Sequence, residues 1–249
     1  NGLFSIIYHL GETIRKEINK ELKMRMDFTP SLLKVILNQM YGKRWAASIK
    51  QALVNLDLQH RPLHIISANL HSVLNTLYGF HALKDREKKL KTGDFYDVIK
   101  NAQAEERIIK EFAVEHGFYE VPDESGAQSD CQIIDSTKLA EVDFHPALNI
   151  VQQTVKVGQP VLLIMDYAFG VQAFELMDEL LRPEDEASLA NLLDVQSISV
   201  MGKAGILPGK KGDIMLATAH VLEGIPHTYI VENDLTRDDF DSSIEIYEG

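Results

Sequence analysis

Five consecutive apolar residues, Val161-Leu-Leu-Ile-Met165, stand between Pro160 and Asp166. Successive side chains of a strand point to opposite faces, so an unbroken apolar run needs cover on both. That leaves few architectures, chief among them a sheet with helices on both sides. Leu63-His-Ile-Ile-Ser67, behind Pro62, reads as a second such strand. Each run passes through small or turn-forming residues into an amphipathic pattern: residues 68–72 lead into 73–83, and Asp166-Tyr-Ala-Phe-Gly170 leads into 171–181. Repeated strand–turn–helix units predict an α/β fold with a mixed or mostly parallel sheet flanked by helices. Ligands of open α/β sheets sit beyond the carboxyl ends of the strands. Ser67, Asn69, His71 and Ser72 after the first strand, and Asp166, Phe169, Gly170 and Glu175 after the second, are therefore candidate ligand-facing residues. A plainer reading makes Asn69 and Ser72 helix caps and leaves His71 on an exposed first turn.

The first sixty residues are helical in pattern. Leu3, Ile6, Ile7, Leu10, Ile14, Ile18 and Leu22 recur at helical spacing. Thr29-Pro30-Ser31 opens a second helix with Gly42 as its stop, and a third runs over 45–56. The division expected is a helical subdomain over 1–60 and an α/β domain over 61–249. Ser31-Leu-Leu-Lys34 spells the Ser-x-x-Lys motif of serine β-lactamases without its partner motifs, so an N-cap beside a surface lysine is the better account. Further on, the pattern predicts helices over 95–116, 145–155 and 188–193, a loop over 122–130, and strands at 131–134 and 226–232. The chain opens on Asn1 and stops at Gly249, which suggests a piece of a longer protein.

A net charge of −12 argues against nucleic acid or an anionic membrane as partner, since both need clustered Lys and Arg. The single cysteine, Cys131, allows no intrachain disulfide, and no cysteine cluster offers zinc spacing. His64, His71, His145, His220 and His227 fall in no ligand-pair spacing, so no metal is expected. The aspartates over 234–241 lack the glycine and closing glutamate of a calcium loop. No apolar run is long enough to span a bilayer and no signal peptide opens the chain, so a cytoplasmic location is expected.

One stretch carries a chemical suggestion. After the β-type run 197–201 come Gly202-Lys-Ala-Gly205, a turn with Lys210 and Lys211, and Gly212-Asp213 opening an apolar run over 214–217. Glycines let the backbone approach a ligand, and successive N–H groups can form an anion nest. The pattern resembles the central signature of the nucleoside phosphorylase and nucleosidase superfamily, where Gly-Ser/Thr-x-Gly ends a strand and Gly-Asp re-enters the sheet. The resemblance implies a phosphate- or ribose-binding role for Gly202, Lys203, Ala204 and Gly205; Asp213 at the re-entry, and His220 and Glu232 at strand ends, are further candidates. It implies cleavage of an N-glycosidic bond by phosphate or water, no cofactor beyond phosphate as co-substrate, and a homo-oligomer acting on a nucleoside, nucleotide or ribose phosphate. Lys203 stands where the family has a hydroxyl, and the family's ribose-binding Met-Glu pair is not recognisable. The alternative is a noncatalytic α/β module that binds a phosphorylated metabolite or a protein partner.

Overall fold

In a computed structural model the described residues are 3–20, 38–84, 105–148, 150, 157–183, 193–202, 209–210, 213–221, 230–240, 242 and 244–248. The chain divides into two compact units, 1–200 and 201–249.

The first unit is built on a five-stranded mixed sheet. Its strands are β1 (Leu63–Ser67), β2 (Phe118–Val121), β3 (Cys131–Asp135), β4 (Val161–Met165) and β5 (Val195–Val200), in the spatial order β2-β3-β4-β1-β5. β1 is parallel to β4 and to β5, whereas β3 is antiparallel to both β4 and β2. The helices are α1 (Leu3–Ile18), α2 (Asn38–Asn55), α3 (Leu70–Leu83), α4 (Glu106–Glu115) and α5 (Val171–Leu181).

Alternation along β4 explains the apolar run. Val161, Leu163 and Met165 join one core with Trp45, Ile49 and Leu53 of α2 and Leu176 and Leu180 of α5. Leu162 and Ile164 face the other core, formed with Val73, Leu74 and Tyr78 of α3 and Ile109 and Ala113 of α4. The sheet is thus sandwiched between α2/α5 and α3/α4. Leu63 and Ile65 of β1 follow the same rule, while β5 at the sheet edge is largely exposed.

Several expectations are revised. One helix runs from 38 to 55 through Gly42, so Gly42 is no stop. It lies where α2 crosses α5, with the Glu175 carbonyl 3.5 Å from where a Cβ would stand. Trp45, Ala46, Ile49 and Leu53 on this helix belong to the sheet's own core. β2 carries no alternation strong enough to announce it; Phe118 is buried, yet Tyr119, Glu120 and Val121 are half-buried or exposed. Residues 146–148 form a short 3-10 turn, and 149 and 151–155 of the helix expected over 145–155 lie outside the described residues. The helix start at Thr29-Pro30-Ser31, the Ser31–Lys34 motif, the first part of the 95–116 helix and nearly all of the 188–193 helix lie outside the described residues.

The second unit holds two small sheets. β6 (Ile214–Leu216) pairs parallel with β9 (Ile246–Glu248), and β7 (Ala219–Val221) pairs antiparallel with β8 (Ile230–Glu232). Among the described residues of this unit Leu216 is the buried hydrophobic.

Candidate functional site

Strand order sets a topological switch point at the carboxyl edge of the first sheet. β1 and β4 are adjacent and parallel, with Ser67 opposite Met165. The chain leaving β1 enters α3 on one face, whereas the chain leaving β4 enters α5 on the other. Neighbouring strands whose connections diverge in this way leave an opening between them, the usual ligand position of open α/β sheets.

On the β1 side, the Ala68 N–H donates to the Met165 carbonyl at 3.1 Å and extends the ladder by one rung. Asn69 then caps α3, its Oδ1 accepting the His71 N–H at 3.0 Å. His71 lies on the exposed first turn, its Nδ1 3.2 Å from the Glu106 carboxylate at the start of α4. The plainer reading of Asn69 and His71 is the one these contacts describe. Ser67 is half-buried at the strand end.

On the β4 side, the Asp166 N–H donates to the Asp130 carbonyl at 2.9 Å, and the Asp166 carboxylate accepts the Tyr167 N–H at 2.8 Å. The Tyr167 and Phe169 rings stack with centroids 6.0 Å apart, and Phe169 is 76 % exposed. Gly170 stands at the N-cap of α5 with φ of 55°, a backbone region that glycine alone enters readily. No side chain caps this helix and its first turn holds no acid. Its leading N–H groups, and the positive end of its dipole, therefore face outward at the switch point.

Sequence reading missed a third contributor. The loop 122–130 is organised by Asp123, whose carboxylate accepts the Ser125 N–H at 2.8 Å, the Ser125 hydroxyl at 2.5 Å and the Gln128 N–H at 2.5 Å. Asp130 accepts the Asp123 N–H at 2.8 Å. Trp45 Nε1 reaches the buried Ser129 carbonyl at 2.8 Å, and Gln172 in the first turn of α5 donates to the Ala127 carbonyl at 2.5 Å. The only advance signal was the density of Asp, Ser and Gly, residues whose side chains or φ freedom build such turns.

The remaining candidates fall in the second unit or outside description. Gly202 is exposed, and Lys203, Ala204 and Gly205 lie outside the described residues. Asp213 closes its own turn, with its carboxylate accepting the Lys210 N–H at 2.5 Å, so that N–H is already taken. His220 pairs with Val231 across β7 and β8, and Glu232 pairs with Ala219. Glu175 on α5 has one buried, unpartnered carboxylate oxygen.

Cys131 is buried, and burial, with Asp130 and Asp123 nearby, pushes its thiol well up, so it supplies no thiolate nucleophile. Among the described residues no group of three His, Cys, Asp or Glu side chains is placed to hold a metal, and no helix is long and apolar enough to cross a membrane. A shallow groove of about 300 Å³ lies at the far end of α5, lined in part by Lys43, Lys50, Glu179 and Arg182. Lys50 donates to the Arg182 carbonyl at 2.7 Å, and Arg182 pairs with Asp178 and Glu179, so both of these cations are engaged.

The fold is that of an α/β protein whose mixed sheet has a topological switch point between β1 and β4, a candidate ligand position. The chain belongs to a family of unknown function, DUF6909, whose description matches residues 6–91 and 90–248. No curated protein matches it. No solved structure matches it either.

Proposed function

We propose that this protein binds a small phosphorylated metabolite, of the nucleotide or ribose phosphate class, at the switch point between β1 and β4. The observation that carries the reading is the start of α5: glycine at the N-cap, no capping side chain and no first-turn acid, at the switch point. Unsatisfied N–H groups and the helix dipole together favour a phosphate there. Tyr167 and the exposed Phe169 offer ring faces to a base or sugar beside it. The ligand class rests on the resemblance of residues 202–213 to the nucleoside phosphorylases.

Binding without turnover is the better reading. Glycosidic cleavage needs an acid for the departing base; the Asp166 carboxylate holds its own loop, His71 faces Glu106, and Glu175 stands where α5 meets Gly42 of α2. The test is calorimetric titration with phosphate, ribose 5-phosphate, AMP, adenosine and inosine, repeated on Val171→Asp. That variant places a carboxylate in the exposed first turn of α5, where it suits the helix but repels an anion. Phosphorylated ligands are expected to bind, and to weaken by about tenfold or more in the variant. Failure of every phosphorylated ligand, or unchanged binding in the variant, would sink the proposal. Release of free base from AMP or inosine would restore the enzyme reading.

A further inference from the structure

We propose that α1 is a self-association element, pairing antiparallel with α1 of a second copy of this chain. Ile7, Leu10, Gly11, Ile14 and Ile18 fall on one stripe of the helix, and the four apolar side chains are exposed, from 39 % at Ile14 and 41 % at Leu10 to 74 % at Ile18. No described side chain of α1 belongs to either core of the first unit. A helix of sixteen residues is marginal in water without packing, so a stripe of this kind calls for a partner.

Two features favour a second copy over other occupants. The first is Gly11, in the helix interior at the middle of the stripe. A Cβ there would meet nothing within 4 Å among the described residues, so no described neighbour asks for glycine, which weakens a helix interior. A second helix crossing closely at that point does ask for it. The second is symmetry. Antiparallel pairing about the Leu10–Gly11 peptide sets Ile7 against Ile14 of the second copy and Leu10 over its Gly11, and the reciprocal contacts are identical. That self-complementarity is the mark of a two-fold interface. Charge agrees: within α1 Arg15 and Lys16 balance Glu12 and Glu17 in a chain that is otherwise strongly acidic, so two copies meeting here do not bring like negative charge together.

Sedimentation of the whole chain across concentrations tests this, alongside the double variant Ile7→Glu/Ile14→Glu and single variants Leu10→Cys and Ile18→Cys under mild oxidation. The wild type is expected to pass from monomer to dimer at concentrations on the order of 10 μM, as suits a small interface. The double variant should weaken the dimer by about a hundredfold or more with an unchanged thermal transition, because both side chains are exposed in the monomer. Leu10→Cys should cross-link to itself. Ile18→Cys should not, since the two copies of that position lie about 22 Å apart along the antiparallel pair. Native Cys131 is buried and does not interfere. A monomer at every concentration, a dimer that survives the double variant, or cross-linking at both positions would overturn the proposal. So would a monomeric wild type that binds anionic vesicles through the same residues.

Discussion

Arg61 ties three strand ends together at one edge of the first sheet. Its Nε donates to the Gln159 carbonyl at 2.7 Å, one terminal nitrogen reaches the Pro160 carbonyl at 3.3 Å, and the other lies 2.8 Å from the Asp135 carboxylate. One guanidinium thereby joins the starts of β1 and β4 to the end of β3. Arg61→Ala is expected to cost about 2–3 kcal/mol in urea unfolding, since it strands a largely buried carboxylate and two carbonyls. Burial alone pushes the Asp135 carboxyl up, but the Thr137 hydroxyl, Arg61 and the Thr137 N–H outweigh it and hold it below its ordinary value. A depressed folded value means that its contribution is present above the unfolded value, about 3.9, and fades as pH falls through the folded one. Stability should therefore decline below about pH 4. Asp135→Asn should flatten that decline; an identical acid slope in the variant would exclude this carboxyl as its source. Cys131 should resist thiol reagents in the native protein and react only on unfolding, because burial keeps it a thiol.

At the scale of elements, two glycines behave oppositely. Gly117, with φ of 88°, turns the chain from α4 into β2, and a Cβ there would come within 2.7 Å of Lys138 Cβ and 2.8 Å of the Asp135 carbonyl. Gly117→Ala combines left-handed strain with a backbone clash and should cost at least about 2 kcal/mol. Gly42 sits in the α2–α5 crossing with its nearest neighbour at 3.5 Å, ordinary contact for a methyl group. Gly42→Ala should be neutral or stabilising by up to about 1 kcal/mol through helix propensity. Denaturation midpoints of the two variants should move in opposite directions or differ by the full strain of Gly117. Asn69→Ala should cost about 1 kcal/mol by uncapping α3.

At the scale of the molecule, every buried hydrophobic described, except Leu216, lies within residues 1–200. A chain ending at Val200 should therefore fold cooperatively, with the thermal transition of the first unit retained. Loss of a cooperative transition on that truncation would show that the first unit's stability depends on residues beyond 200.

What the sequence determined by itself was the fold class and the β1 and β4 frame. An apolar run such as 161–165 is decided locally, because its alternate side chains have nowhere to go but into cover on both faces. The same local logic placed Ser67, Asn69, Asp166 and Gly170 at the strand ends and made Asn69 a cap. Tertiary structure decided the rest. Whether Gly42 stops a helix or admits a neighbouring one depends on α5, more than a hundred residues away. β2, mostly half-buried or exposed, owes its existence to pairing with β3. The divergence of α3 and α5 to opposite faces, which sets the switch point, is a property of strand order, and no residue in the sequence records the order in which strands come to lie side by side.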